Sequence, residues 1–336
     1  MSPRPPLILP LLLSLFAVLS CGEDTTPTQP GSTDDQISAA TASTASNSWT
    51  DKAARPGESL YGFVGGVAPN SAGQSILYTF GGVNDEGGSG FPIQAYNAAT
   101  NSWSTKTSEV YMYDLNGVAK IGSKLYFSGG RSHDGTGDTP SVPTTWAYDY
   151  TNDRLTRKAD MPKATSEGVT GVIDGKMYVL PGFCDGTGWP FPGYCDHSAI
   201  RQLFRYDPVN NKWGALRSCP HYHPFGAGGV INGKFYVAGG LGTAALDVFD
   251  PATDSWSPLA PVPTAGRAIG TILGQKLYVI TASDSHTYAY DPGTNTWKAR
   301  APYPSAGLPL ALGRVALDGR NYLVGVDGAG SHLYTP

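Results

Sequence analysis

A chain of 336 residues is long enough for one large core or two smaller ones. Its 43 glycines, 27 prolines, 19 tyrosines and 7 tryptophans, with only 15% charged residues, favour short strands and many turns over helices. The net charge of −4, with no basic stripe, argues against nucleic acid or an anionic membrane surface as an electrostatic partner.

In chain order, Arg4 and the apolar run Leu7 to Leu19 come first. That run is too short to span a bilayer and reads as an export signal. Val18-Leu19-Ser20-Cys21-Gly22 resembles the bacterial lipoprotein signal. The resemblance implies that residues 1–20 are removed and that Cys21 carries a lipid, which makes the membrane a partner. An ordinary signal peptide that leaves Cys21 free is the plainer alternative. Either way the protein is expected outside the cytoplasm, in the cell envelope. Gly22 after the cysteine points, by resemblance, to the outer membrane or cell surface rather than the inner membrane. Residues 21–45 are Thr, Ser, Ala and Pro with almost nothing to bury, so they read as a flexible tether.

Residues 46–336 repeat a unit that is clearest at Asn232 to Trp256. Phe235 to Ala238 and Leu246 to Phe249 are short, apolar and β-prone, stopped by Gly239-Gly240 and Asp250-Pro251. Asn232-Gly233 before them signals a two-residue hairpin, so a strand also precedes it, and the unit is a four-stranded meander. Inner hairpins recur around Tyr78, Tyr126, Tyr178, Tyr236, Tyr278 and Tyr322, six in all. Outer strands carry a tryptophan at Trp103, Trp213, Trp256 and Trp297, with Leu155 in that place in the second copy. The last copy has no outer strand after Tyr334, but Asn47-Ser48-Trp49 matches Asn101-Ser102-Trp103. The first strand is therefore expected to complete the last sheet and close a ring.

The Gly-Gly doublet, then Tyr, then Trp, resembles Kelch repeats throughout residues 46–336. The resemblance implies an all-β fold: a six-bladed Kelch-type β-propeller closed by an N-terminal strand. Pro181 and Thr281-Ala282 depart from the doublet. In such blades the second-to-third-strand loops share a face with the links between blades, and here those loops are long. A binding site is expected there. The residues placed on it are Arg131, His133 and Asp134 in blade 2; Trp189, Tyr194 and His197 in the blade 3 insertion; His221 and His223 after blade 3; and Arg267 between blades 4 and 5. Exported proteins favour disulfides, so Cys184–Cys195 is the first pairing to expect, with Cys219 as an alternative partner for either. Cys219, His221 and His223 fall on one side of an extended segment, which makes His221 and His223 candidate metal ligands, although a loop packed by Tyr222 and Pro224 accounts for them without a metal.

Three functions remain open. One is a lipid-anchored module, a monomer without cofactor, that binds a glycan or protein on the long-loop face without catalysis. Another is an enzyme resembling the six-bladed Kelch sialic-acid mutarotases. That resemblance implies a carboxylate and an arginine that move a proton at the channel mouth, here drawn from Glu167, Glu58, Arg131 and Arg267. The third is a structural envelope protein.

Overall fold

Asn232 and Gly233 sit at φ of 50° and 72°, the left-handed pair that a two-residue hairpin turn requires. They join Ala227–Ile231 to Lys234–Ala238. Asp174-Gly175 and Asp318-Gly319 repeat that backbone step. The computed structural model describes residues 46–132, 140–184, 200–305, 307–328 and 330–336. Cys21, His133, Asp134, Trp189, Tyr194, Cys195 and His197 lie outside the described residues, as do the expected signal peptide and the whole of the tether.

Six four-stranded antiparallel sheets form the blades. From inner to outer strand, blade 1 is Val64–Pro69, Ser75–Phe80, Phe91–Asn97 and Ser102–Val110. Blade 2 is Val118–Ile121, Lys124–Ser128, Thr145–Asp149 and Arg154–Lys158. Blade 3 is Val169–Ile173, Lys176–Leu180, Phe204–Asp207 and Lys212–Ala215. Blade 4 is Ala227–Ile231, Lys234–Ala238, Leu246–Asp250 and Ser255–Leu259, and blade 5 is Ala268–Leu273, Lys276–Thr281, Thr287–Asp291 and Thr296–Arg300. Blade 6 takes Ala311–Leu317, Arg320–Val326 and Ser331–Thr335 from the C-terminal end and Ser48–Lys52 from the N-terminal end. Trp49 pairs opposite Tyr334 there, so the expected closure is present. Blades 3 and 5 form normally despite Pro181 and Thr281-Ala282.

Each inner strand packs against the inner strands of both neighbouring blades, and the circle is complete. Small residues permit it. A Cβ on Gly66 would lie 2.4 Å from Val118, and one on Gly229 would lie 2.5 Å from Ile272, each a side chain of the next blade. The cores sit between sheets. Tyr78 and Phe80 meet Phe127 and Tyr148, and Tyr178 and Val237 enclose Phe249.

At the rim one clamp repeats. A left-handed Asn or Asp in the outer turn (Asn47, Asn101, Asp153, Asn211, Asp254, Asn295) has φ between 48° and 57°. Its side chain accepts a backbone N–H from the preceding blade, as at Ala53 to Asn101 (2.9 Å), Ala260 to Asn295 (2.9 Å) and Ala301 to Asn47 (2.9 Å). In five blades the same oxygen or carboxylate also accepts a tyrosine hydroxyl, from Tyr96, Tyr148, Tyr206, Tyr290 or Tyr334. Next to it the tryptophan indole N–H donates to a carbonyl just past the preceding blade's outer strand. Trp103 reaches Ala53, Trp213 reaches Ala159, Trp256 reaches Arg217, Trp297 reaches Ala260 and Trp49 reaches Ala301. Ring closure thus uses the contacts that join every other pair of blades with a tryptophan. Where Leu155 replaces it, Asp153 instead accepts both the N–H and the hydroxyl of Thr107, at 2.6 and 2.8 Å.

Candidate functional site

The links that lead into the inner strands turn through left-handed residues. Gly62, Asp114, Glu167 and Phe225 have φ of 69°, 52°, 56° and 56°. Three of them are not glycine, and a bulky residue held there is strained by roughly 1–3 kcal/mol. A backbone chain running from blade to blade holds them. Asp114 N–H donates to Gly62 O (2.7 Å), Glu167 N–H to Asp114 O (2.8 Å), Phe225 N–H to Glu167 O (3.1 Å) and Ala268 N–H to Phe225 O (2.8 Å). Asn116, fully buried, braces the carboxylate side of this chain. Its amide donates to Thr165 Oγ1 (2.9 Å), and its oxygen accepts the Gly168 N–H (3.0 Å).

This backbone brings the side chains of Asp114 and Glu167 together at the channel mouth. Arg131 arrives from the other side. Met112–Tyr113 pairs with Arg131–Ser132 in a two-stranded ribbon, with Tyr113 opposite Arg131. The Arg131 Nε lies 3.8 Å from Asp114 Oδ2 and 3.8 Å from Glu167 Oε1. These are ion-pair distances, longer than hydrogen bonds. Arg131 Nε and Glu167 Oε2 are buried polar atoms with no hydrogen-bond partner. Arg267 lies over the Phe225 ring, its guanidinium carbon 3.3 Å from the centroid.

Burial, then the Asp114 charge, push Glu167 up to about 9, while Arg131 opposes the shift. Burial also raises Asp114, against the Glu167 hydrogen bond and Arg131. Two adjacent buried carboxyls do not both ionise readily, so at neutral pH the pair holds one proton between them.

Two cavities run end to end along the axis and share Val64, Gly168, Gly226, Ile269 and Leu310. The one toward the tight turns measures about 680 Å³ and carries Lys120 and Arg314, but no carboxylate. The one at the mouth measures about 520 Å³. Its walls include Phe63, Leu308 and Pro309, and Asp114, Glu167 and Arg267 converge on it. The mouth cavity is the candidate site, because it joins an apolar wall to perturbed titratable groups.

Sequence reasoning selected Glu167, Arg131 and Arg267; Glu167 and Arg267 line the mouth cavity, and Arg131 lies against the Asp114 and Glu167 carboxyls without lining it. That reasoning missed Asp114 and Phe225. Glu58 is elsewhere, on the exposed loop where its carboxylate accepts from Asn84. His221 and His223 turn away from the mouth. His223 is fully buried, against the expectation that it meets a ligand on the loop face. Both rings contact Asp247 Oδ2, His221 Nδ1 at 2.8 Å and His223 Nε2 at 3.0 Å. Cys219 is buried and free, which removes it as a disulfide partner for Cys184 or Cys195.

No family model matches the chain. Among curated proteins it is similar to Kelch-like protein 35 of Mus musculus, 26% identical over 223 residues, covering 64% of this chain and 36% of that protein. It is also similar to Beta-scruin of Limulus polyphemus, 25% identical over 220 residues, 60% of this chain and 23% of that one. The matches therefore span little more than a third of these relatives at most. Among solved structures, that of YjhT superposes with a TM-score of 0.59 at 15% identity, over 84% of this chain and 94% of that one. At that identity the likeness speaks for the fold alone.

Proposed function

We propose, from the premise that this chain is a Kelch-repeat β-propeller, that it is a binding protein whose channel mouth takes up a small polar ligand, a sugar unit or a peptide end. The observation that carries this is the mouth cavity itself. A space of about 520 Å³ with apolar walls suits one sugar ring or a few peptide atoms. Glu167 lines it and its Oε2 has no hydrogen-bond partner, so a ligand that reaches it gains a bond without breaking one. Arg267, stacked on Phe225, favours an anionic group. Calorimetric titration of the purified protein with N-acetylneuraminic acid, neutral methyl glycosides and short peptides tests it. Saturable binding that weakens at least about tenfold in Arg267→Ala supports the reading. No binding by any of these, or binding that Arg267→Ala leaves intact, overturns it.

The carboxyl pair favours a second reading, acid–base chemistry on a sugar ring. A proton shared between Glu167 and Asp114 at neutral pH supplies an acid and a base side by side. NMR exchange spectroscopy of N-acetylneuraminic acid anomers distinguishes the two: exchange no faster than in buffer leaves binding alone.

We also propose that the protein is exported and held to the cell envelope by a lipid on Cys21, with Cys184–Cys195 bridged in the blade 3 insertion. The residues that carry this are those of the N-terminal motif and the free state of Cys219. Mass spectrometry of the N-terminal peptide tests the anchor, and an unprocessed Met1 terminus in the native host overturns it.

A further inference from the structure

Away from the mouth, the link from blade 3 to blade 4 crosses the third strand of blade 4. Cys219, His221 and His223 alternate along the link, and all three point to Asp247. Cys219 Sγ lies 3.5 Å from Asp247 Oδ2, beside the two histidine contacts of 2.8 and 3.0 Å. The Cys219, His223 and Asp247 ligand atoms all lie within 4.8 Å of one another. Cys219, His223 and Asp247 are buried, while the His221 side chain is half exposed.

Two further observations bear on what belongs among these atoms. The first is the orientation of His223. Its Nδ1 is 2.7 Å from the Gly239 carbonyl, so Nδ1 must carry a proton and donate it. In a neutral ring Nε2 then presents a lone pair, and it faces a carboxylate oxygen 3.0 Å away. Two acceptors at that distance need a proton or a cation between them. A histidine whose far nitrogen is fixed by a backbone carbonyl is also the usual arrangement of a metal ligand, since that bond sets the tautomer. The second is Asp247 Oδ1, a buried carboxylate oxygen with no hydrogen-bond partner. Asp247 is thus a fully buried anion whose charge is met only through one oxygen.

We propose that Cys219 Sγ, His221 Nδ1, His223 Nε2 and Asp247 Oδ2 form a zinc-class metal site that fastens the blade 3–blade 4 link to blade 4. The donor set fits that class: one sulfur, two imidazole nitrogens and one carboxylate oxygen, four protein ligands that leave no open position, as in structural sites. Small outward shifts suffice for Cys219, His223 and Asp247, while half-exposed His221, outside the 4.8 Å group, swings inward. Bonds of about 2.0–2.3 Å set tetrahedral edges somewhat longer than the contacts here. On binding, the Cys219 thiol proton and the proton between His223 Nε2 and Asp247 Oδ2 pass to water, the His221 proton moves from Nδ1 to the far ring nitrogen Nε2, and the two anions and two neutral rings coordinate the cation. Without metal the same protons bridge the group, which explains how the cluster stays packed. The site is distinct from the mouth and does not depend on the reading proposed for it.

The test uses the full purified protein, stripped with a chelator and titrated with cobalt(II) alone as a spectroscopic stand-in for zinc. One equivalent per chain, with a thiolate-to-cobalt charge-transfer band and strong tetrahedral ligand-field bands, is expected. Cys219→Ser should abolish the charge-transfer band. His221→Gln, at a half-exposed position where folding is not at stake, should weaken affinity at least about tenfold. Zinc should also raise the melting temperature of the wild type and not that of Cys219→Ser. Weak octahedral bands only, or a charge-transfer band that persists in Cys219→Ser, would overturn the proposal.

Discussion

Whether the ring is closed by its first strand can be read from two tryptophans. Trp49 and Trp297 occupy the same place in neighbouring blades. Trp49 Nε1–H donates to Ala301 O at 3.2 Å, and its ring meets Tyr303 at 5.0 Å and Tyr334 at 5.1 Å. Trp297 Nε1–H donates to Ala260 O at 2.9 Å, with Tyr290 at 5.1 Å. Replacement by alanine removes one hydrogen bond worth ~1 kcal/mol. It also removes an aromatic contact worth ~1 kcal/mol and ~1 kcal/mol of apolar area from a half-buried ring. Each substitution should therefore cost about 3 kcal/mol, or roughly 6–10 °C in melting temperature for a domain of this size. Urea titrations followed by circular dichroism compare the two, with midpoints shifting and slopes unchanged. If Trp49→Ala shifts the midpoint by less than ~0.5 kcal/mol while Trp297→Ala costs the full amount, the N-terminal strand does not zip the ring, and the reasoning fails.

Three further outcomes follow from the same geometry. Glu167 titrates higher in the fold than in the unfolded chain, so the folded state binds more protons and its stability falls as pH rises from about 4.5 toward about 9. Glu167→Gln removes that penalty. It should leave stability near pH 4 unchanged and raise it at pH 8 by on the order of a few kcal/mol in urea unfolding, whereas a variant no more stable at pH 8 denies the buried, proton-holding carboxyl. A Cβ on Gly182 would lie 2.0 Å from the Glu167 carbonyl oxygen. Gly182→Ala should therefore cost about 2 kcal/mol or more in thermal unfolding, and ligand affinity at the mouth should fall with it. Asn295→Ala removes the acceptor for both the Tyr290 hydroxyl and the Ala260 N–H and loses a left-handed residue suited to φ of 53°. It should destabilise by about 2–3 kcal/mol in the same assay.

The architecture was legible because its signals are local and repeated. Asn232-Gly233, the glycine doublets and the Trp49 segment each specify a backbone conformation within a few residues, and the repetition lets one copy correct another. The clamp built on Asn47, Asn101 and their counterparts was present in the same alignment, but the role of the asparagine was not readable. Its partner is a backbone N–H in another blade, and nothing in the sequence records which N–H that is. Asp114 was missed for a register reason. It stands four residues before the inner strand Val118–Ile121, whereas Glu167 stands two before Val169–Ile173, so the two do not align even though their backbones bond. Asp247 did leave a signal. It pairs opposite Val237 where blades 2, 3 and 5 carry Trp146, Phe204 and Tyr288, and blades 1 and 6 carry Gln94 and Leu333. A buried carboxylate in place of an aromatic marks a polar centre, and the histidines that meet it are on a link that local pattern reads only as loop.

The location of the chemistry is a consequence of how the blades are joined. A link that must enter an inner strand beside the axis turns sharply, and here it does so through residues at positive φ. Asp114, Glu167 and Phe225 each donate their N–H to the carbonyl of the preceding link residue, so neighbours in that chain stand side by side at the mouth. When two consecutive members are Asp114 and Glu167, the backbone that ties blade 2 to blade 3 also presses two carboxyls together. Burial then raises both above the ordinary range, and the Asp114 charge pushes Glu167 higher still. Arg131 reaches them because the ribbon that seats it begins at Met112, two residues before Asp114. The proton held at the mouth is thus produced by the same hydrogen bonds that hold the ring together. A change that loosens the blade 2–blade 3 link, such as loss of the Asn116 brace, must alter the acidity of the site along with its stability.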